Sequence, residues 1–281
     1  MTNPGAFPIE AFGGRFELLQ TFSGGEGASA LLRERATGRE LVGKVLDGAA
    51  PAAEASLLQS LRHPAIPAVL EAGQLSDGRA FLLRDFARGK PLSACLPLTR
   101  EQALSVARQV LEALAYVHLR GVLHLDLKPA NLVLGEDGTV HLLDFGLAVR
   151  TGRRSQGGTL FFAAPELLVG GTPDARTDLF SLGAVLVAAL WPKPGPVPLA
   201  RFLQSFPART FWEAADVAAS DFPAPFAAFL ERCLERQPQR RFADAQAALE
   251  FLIGGAGRPT RSLLQPDVVA LFGDALTAVA D

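Results

Sequence analysis

The sequence predicts an α+β protein of two lobes, a small first lobe of short strands with one main helix and a larger helical second lobe. Up to residue 85, short apolar runs alternate with turn signals, whereas beyond residue 89 the apolar residues recur at helical spacing. Strands are expected at 16–21, 30–35, 41–46, 69–73 and 80–85, with hairpin turns at Thr37-Gly38 and Asp77-Gly78. The 281 residues, 49% of them hydrophobic, suffice for one such domain and little else.

The second lobe should be built on helices. Between residues 100 and 119, apolar side chains at positions 103, 104, 107, 110, 111 and 114 form a helical stripe. The most apolar run, 179–191, is too short to span a bilayer and is expected to be a buried helix. We therefore divide the chain into a flexible N-terminal arm (1–13), a first lobe (14–86), a second lobe (87–253) and a tail (254–281) whose apolar spacing fits one helix.

Composition and charge argue against several classes of function. A net charge of −2 and a pI near 6.1 provide no basic field for nucleic acid and no polybasic patch for a membrane surface. The two distant cysteines, Cys95 and Cys233, and the lack of a secretory leader indicate a reducing cytoplasm instead of a disulfide framework. The four histidines show neither zinc spacing nor a cysteine pair, so no zinc site is expected.

The chemistry is concentrated in residues 124–131, which read His-Leu-Asp-Leu-Lys-Pro-Ala-Asn. They set an acid (Asp126), a lysine (Lys128) and an amide (Asn131) close together, and Asp144 opens an Asp-Phe-Gly motif eighteen positions after the acid. This order resembles the catalytic loop and metal-binding motif of protein kinases. Lysine followed by proline resembles the serine/threonine class, and the alanine- and arginine-rich, lysine-poor composition points to a bacterial, eukaryotic-like member with the bilobal kinase fold.

The resemblance implies a role for each of these four residues. Asp126 would orient and deprotonate an attacking hydroxyl, and Lys128 would neutralise charge that grows on the transferred phosphoryl group. Asn131 and Asp144 would hold Mg²⁺, or Mn²⁺, beside ATP. Magnesium on carboxylate and amide oxygens is therefore the metal that the resemblance implies.

Lys44 and Glu54 resemble the ion pair that holds the α and β phosphates in protein kinases. Lys44 lies between apolar residues at the end of an alternating run, although an ordinary edge-strand lysine would look the same. The chain has four lysines against 23 arginines, and Lys44 and Lys128 stand where the kinase pattern requires lysine. Glu54 shares the apolar face of an expected helix at 52–61, which favours the pair over a solvated glutamate.

The loop expected to cover the phosphates matches the kinase pattern in part. Gly24, Gly25 and Gly27 retain the flexibility and the close backbone approach that phosphates need. Phe22, however, stands at the first glycine position, and Ser29 replaces the usual valine over adenine. Taken alone, this stretch would be interpreted as a glycine hairpin without a ligand.

The hinge between the lobes is expected near residues 84–89, where the backbone groups of Asp85 and Ala87 would contact adenine. In this register Arg84 occupies the gatekeeper position of the kinase pattern, at the back of the adenine pocket. An arginine is unusual there. A shift of the register by one residue would turn Arg84 outward.

Segments after Asp144 resemble the peptide-binding platform that distinguishes protein kinases from small-molecule kinases. Thr159 and Glu166 would belong to the activation segment, and Arg241 would pair with Glu166, with two unrelated surface charges as the alternative. Asp178 resembles the aspartate that hydrogen-bonds the catalytic-loop backbone. Its alternative, or additional, role is a plain helix N-cap.

Leu125 is the main departure from the family pattern. Most protein kinases have an arginine there, which receives a phosphorylated residue of the activation loop. A phosphate on Thr151 or Ser155 would need another cation to order that loop. We therefore expect an activity that does not depend on phosphorylation of the activation loop.

Two classes of function remain open from the sequence. The first is ATP-dependent phosphorylation of serine and threonine hydroxyls on protein substrates, including the chain itself, by a cytoplasmic enzyme without a membrane anchor. The alternative is a pseudokinase-like scaffold that binds nucleotide, which the degenerate glycine loop and Leu125 favour. Every charged or amide position of the transfer machinery is filled, and this favours the enzyme.

Overall fold

A computed structural model describes residues 7–22, 28–46, 58–144, 162–190 and 224–255 of the chain. These residues form a β-rich lobe followed by a helical lobe. Several residues discussed above lie outside the described ranges, as does the tail from residue 256 on: Gly24, Gly25, Gly27, Glu54, Thr151, Ser155 and Thr159. Within the ranges that are described, no helix is long and apolar enough to cross a membrane.

The first lobe is a five-stranded antiparallel sheet. Its strands are β1 (Phe16–Phe22), β2 (Ala28–Glu34), β3 (Glu40–Leu46), β4 (Val69–Gln74) and β5 (Ala80–Asp85), in the order β1-β2-β3-β5-β4. All five strands lie within two residues of their expected bounds. The turns at Gly38 and Gly78 have φ values of +73° and +86°, a left-handed conformation that glycine adopts without steric cost.

Strand pairing decides which side chains of the first lobe face the cleft. Lys44 lies opposite Leu82, and Val42 lies opposite Arg84, in the antiparallel pair of β3 and β5. Directly opposed residues point to the same side of a sheet, so these four side chains share one face. Leu83, which lies between Leu82 and Arg84 on β5, points to the other face and is buried in the core of the first lobe.

Residues 7–13 differ from the expectation of a flexible arm, because they pack on the sheet. They include a short 3-10 helix, Ile9–Phe12, whose Phe12 ring contacts the rings of Phe7, Phe16 and Phe81. Phe7 is only 4% exposed and lies against Gly43, where an added Cβ would be 2.5 Å from the ring. Burial of these aromatic rings offsets the entropy lost on ordering the segment.

The second lobe consists mainly of helices around one apolar core. The helices are α1 (Arg100–His118), α2 (Pro165–Leu168), α3 (Ala175–Leu190), α4 (Ala224–Cys233) and α5 (Ala245–Gly255). A three-stranded sheet of β6 (Lys90–Pro91), β7 (Leu132–Leu134) and β8 (Val140–Leu142) completes it. Helix α5 includes Gly254 and Gly255, so the second lobe extends two residues beyond its expected end at residue 253.

Two local signals explain where the second lobe begins. Thr99 and Gln102 form a capping box at the start of α1, which satisfies backbone N–H groups that the helix leaves unpaired. Gly89, in the hinge before β6, has φ +142°, and a Cβ there would collide with the backbone carbonyl of Leu134. Only glycine allows the hinge to pass this close to β7.

The segment between β3 and β4 is anchored on the second lobe. Its Leu58 and Leu61 are buried in the core that the helices form. The backbone N–H of Arg62 donates to the Tyr116 hydroxyl at 2.8 Å, and the N–H of Leu142 donates to the carbonyl of Ala65 at 2.7 Å. These contacts hold the segment against the second lobe.

Candidate active site

Residues 124–131, the expected catalytic loop, hold the carboxylate of Asp126 by one oxygen, whereas the other oxygen has no hydrogen-bond partner among the described residues. Lys128 Nζ lies 2.7 Å from Asp126 Oδ2, and Asn131 Nδ2 donates to the same oxygen at 3.0 Å and to the Asp126 carbonyl at 2.9 Å. Asp126 Oδ1 is buried and accepts no hydrogen bond from the part of the chain that the structure describes. The hydrogen bonds from Lys128 and Asn131 fix the position of the carboxylate.

Asp178, on α3, holds the backbone of this loop. It is fully buried, and its Oδ1 and Oδ2 accept hydrogen bonds of 2.8 Å from the backbone N–H groups of Leu125 and His124. His118 Nε2, at the end of α1, lies 2.8 Å from Oδ2. Leu125 has φ +58°, a left-handed conformation that costs a non-glycine residue about 1–2 kcal/mol. The two backbone hydrogen bonds stabilise this strained turn.

The ionised state of Asp178 is consistent with this role. Burial raises the pKa of a carboxyl, but the hydrogen bond and charge of His118 and the hydrogen bond from the His124 backbone N–H outweigh it and lower the pKa of Asp178. Burial also lowers the pKa of His124, whose Nδ1 accepts the Asp126 N–H at 3.2 Å while Nε2 lies 2.8 Å from the Leu143 carbonyl. These partners assign His124 as the neutral imidazole protonated on Nε2.

The alternative of Asp178 as a plain N-cap is wrong. Asp178 is the fourth residue of α3, so its side chain lies inside the helix and not before it. Asp174, just before the helix, accepts the Arg176 N–H at 2.8 Å and occupies the capping position.

Asp144 faces two cations across the cleft between the lobes. Lys44 Nζ lies 3.3 Å from Asp144 Oδ2, and Arg84 Nη2 lies 4.0 Å from Oδ1. Burial raises the pKa of Asp144, but the charges of Lys44 and Arg84 outweigh it, so the pKa lies below its usual value. Asp144 also has φ +58°, a conformation that is uncommon outside glycine.

Arg84 therefore points into the cleft and not outward. Its side chain is 16% exposed. Burial lowers the pKa of Arg84, and the opposing effect of the Asp144 charge is smaller. The next residue, Asp85, ends β5 and turns its carboxylate to Arg39 at 2.6 Å, while its backbone N–H donates to the Ala68 carbonyl at 3.0 Å. Ala87 is buried within the hinge.

Glu166 and Arg241 form a buried, two-pronged ion pair. Arg241 Nη1 donates to Glu166 Oε1, and Nη2 donates to Oε2, both at 2.8 Å. The Arg241 guanidinium also donates to the carbonyls of Glu235 and Arg176 at 2.8 and 2.9 Å. Because every prong of the fork finds an acceptor, the buried charge is compensated, and the pair ties α2 to α3 and to the segment before α5.

Two residues of this arrangement were not singled out as site residues from the sequence. His118, at the end of α1, lies 2.8 Å from Asp178, which is sixty positions away. Thr177 Oγ1 donates to Glu166 Oε1 at 2.9 Å and so joins the ion pair with Arg241. The adjacency of Thr177 to Asp178 was a usable signal, whereas no local pattern connects His118 with α3.

Comparison with known proteins agrees with this geometry. The family model described as the protein kinase domain matches residues 23–251. The serine/threonine-protein kinase PknK of Mycobacterium tuberculosis is 33% identical over 198 residues, which cover 65% of this chain and 18% of the relative. The serine/threonine-protein kinase PknJ of the same species is 35% identical over 226 residues, covering 72% and 38%. The chain thus spans well under half the length of these relatives.

A solved structure supports the fold independently. The PknI kinase domain of Mycobacterium tuberculosis is 24% identical, and the similarity covers 92% of this chain and 100% of that chain with a TM-score of 0.68. The resemblance and the bilobal α+β fold expected from the sequence are both confirmed. The family match over most of the residues, together with the shared fold, establishes that this chain belongs to the protein kinase domain family.

Proposed function

We propose that the chain is the catalytic domain of a serine/threonine protein kinase that transfers the γ-phosphoryl group of ATP to hydroxyls of protein substrates and of its own chain. The observation that carries the proposal is the carboxylate of Asp126. One of its oxygens is held by Lys128 and Asn131, and the other is free of hydrogen bonds from the described residues. Such a carboxylate is suited to orient a hydroxyl.

In the proposed reaction, the Asp126 carboxylate accepts the proton of the attacking serine or threonine hydroxyl. The hydroxyl oxygen bonds to the γ-phosphorus as the bond to the β–γ bridging oxygen breaks, and ADP leaves. Lys128 lies beside the same carboxylate, where its ammonium stabilises charge on the transferred group. The fixed position of Asp126 lowers the entropy that alignment of the hydroxyl would otherwise cost.

The metal would be Mg²⁺, with Mn²⁺ as the alternative, held by Asn131 and Asp144. The donor set fits, because a carboxylate and an amide oxygen are hard ligands and the lowered pKa keeps Asp144 ionised. When bound, the ion neutralises charge on the phosphates. In the described ranges, no group of three or more His, Cys, Asp or Glu side chains is placed to hold a metal.

Nucleotide binding falls to the first lobe and the hinge. The 3.3 Å contact of Lys44 with Asp144 supports a position of Lys44 beside the phosphates. From the sequence, Glu54 would pair with Lys44, and Gly24, Gly25 and Gly27 would cover the phosphates. The backbone groups of Asp85 and Ala87 would contact adenine. These assignments extend the family pattern to this chain residue by residue.

A protein substrate is supported by the platform and not by the catalytic loop alone. The buried pair of Glu166 and Arg241 braces the region where a peptide would lie, and Asp178 supports the loop beneath it. Thr159 would contact Asp126 from the activation segment. The related PknK and PknJ are named serine/threonine-protein kinases, which agrees with Lys128 followed by proline. We place the enzyme in the cytoplasm on the cysteine pattern.

A phosphotransfer assay with the purified chain tests the proposal. The chain is incubated with Mg²⁺ and γ-labelled ATP, alone and with a generic basic protein, beside the Asp126→Asn variant. We expect label on protein serine or threonine, reduced by about 10²–10⁴-fold in the variant. Nucleotide binding without transfer would contradict the proposal and favour a scaffold. Transfer that persists unchanged in Asp126→Asn would overturn the assigned base.

A further inference from the structure

Arg84 places a second cation on the proposed metal ligand. Its Nη2 is 4.0 Å from Asp144 Oδ1, while Lys44 Nζ is 3.3 Å from Oδ2, so each carboxylate oxygen has its own cation. The register of β3 and β5 explains the geometry, because it sends the side chains of Lys44 and Arg84 from the same face of the sheet. The Arg84 side chain is 16% exposed, so solvent screens its charge only weakly.

The described residues around Asp144 therefore carry a net positive charge before any metal binds. Asp144 contributes −1, and Lys44 and Arg84 contribute +1 each. The nearby pair of Asp126 and Lys128 is neutral in sum. A divalent cation that reaches Asp144 alone is repelled by both neighbouring cations, whereas a cation that arrives with a triphosphate meets an excess of negative charge.

We infer that Arg84 determines how the metal enters the site. It suppresses the binding of free divalent metal at Asp144, so that the metal binds together with the nucleotide. The inference rests on the proposed function, because it takes Asp144 as a metal ligand. A neutral side chain at position 84 would remove one positive charge beside Asp144 and would strengthen the binding of free metal.

Titration with Mn²⁺ in the absence of nucleotide tests this role without any catalytic readout. Bound metal is measured by the loss of the free-ion electron paramagnetic resonance signal for the unaltered protein and for Arg84→Met, Arg84→Gln and Arg84→Lys. Both neutral variants should bind Mn²⁺ at least about tenfold more tightly, which equals about 1.4 kcal/mol. Arg84→Lys keeps the charge and should stay within about threefold of the unaltered protein.

Two controls connect the effect to charge at Asp144. Methionine is apolar and glutamine is polar, so a shift shared by both variants reports the loss of charge and not a change of polarity. Asp144→Asn in each neutral variant should remove the added affinity. Thermal unfolding checks that each variant is folded, and if the methionine variant is not, the glutamine variant decides.

Unchanged or weaker Mn²⁺ binding in the folded neutral variants would overturn the inference, and so would a gain that persists in Asp144→Asn. The unaltered protein supplies a measurement that needs no variant at position 84: its Kd for free Mn²⁺ should exceed about 1 mM, and a micromolar Kd would contradict the role of Arg84. Failure of the proposed function is a separate result. It would appear as a lack of phosphotransfer in the labelled-ATP assay. The metal titration does not depend on phosphotransfer activity.

Discussion

The two aspartates at the ends of the site are held in different ways. Asp126 belongs to a loop whose backbone is fixed by Asp178, a fully buried carboxylate with three hydrogen-bond partners at 2.8 Å. Asp144 is held from the opposite lobe by two cations at 3.3 and 4.0 Å, and about a third of its side chain is exposed.

The difference corresponds to the tasks that we propose for the two residues. Hydrogen bonds to backbone groups on a packed helix are directional, so Asp126 is preorganised before a substrate arrives. Ion pairs are less directional and respond to any added charge, so the surroundings of Asp144 change when metal and phosphates bind. We expect substitutions around Asp126 and Asp178 to reduce stability, and substitutions around Asp144 to change ligand binding.

Asp178→Asn should have the largest effect on stability. The change removes the buried negative charge that His118 contacts. It also places the asparagine NH₂ group, a donor, against one of the two backbone N–H groups that now donate to the carboxylate. Loss of a buried, hydrogen-bonded charge costs about 3–5 kcal/mol, so we expect a decrease of about 3 kcal/mol in the free energy of unfolding. Urea denaturation at pH 7.5 measures it.

Asp174→Asn is the matched control on the same helix. Asp174 is partly exposed, and asparagine caps a helix about as well as aspartate, so the expected loss is about 0.5 kcal/mol. Equal effects of the two substitutions would contradict the comparison between a buried anchor and an exposed cap.

The stability of the protein should also decrease in acid because of His63, which lies in the segment between β3 and β4 that is anchored on the second lobe. Burial, and to a smaller extent the charge of Arg120, lowers the pKa of His63 from 6.5 to about 4 in the folded state. The unfolded chain therefore binds more protons between these values. Stability from neutral His63 is present above pH 6.5 and is lost as the pH falls toward 4.

We expect this residue to account for about 1 kcal/mol of the stability lost between pH 7.5 and 5.5. His63→Asn keeps an acceptor for the Ala65 N–H, which His63 Nδ1 accepts at 3.1 Å, and removes the titration. Urea midpoints at the two pH values should differ less in this variant. His124 and His141 also have lowered pKa values, so part of the slope remains. An identical slope in the variant would exclude His63 as a source.

The smallest effect is expected for Thr151→Ala combined with Ser155→Ala. The left-handed turn at Leu125 is stabilised by Asp178, and the apolar Leu125 side chain offers no charge to a phosphorylated activation loop. The rate of phosphotransfer should therefore change by less than about twofold. The assay described for Asp126 measures it. A collapse of the rate would show that another cation receives a phosphate in this loop.

Much of the architecture was predictable because the relevant signals are local. The five strands lie within two residues of their expected bounds, since alternation and glycine turns act over a few neighbouring residues. The contacts of Asp126 with Lys128 and Asn131 are likewise implicit in a spacing of two and five positions. The packing of Phe7 against Gly43 was not predictable, because neither residue has a pattern that names the other.

The resemblance to the family, the order of the elements and the residues of the expected catalytic loop could be predicted from the sequence, because each depends on spacing along the chain. The contact of His118 with Asp178 could not be predicted in this way, because the two residues are sixty positions apart. The same holds for Arg84 and Lys44, which both approach Asp144 from the other lobe. Periodicity states which face of an element a side chain occupies. Which other element covers that face follows only from how the lobes pack, and there the charge balance of the site is set.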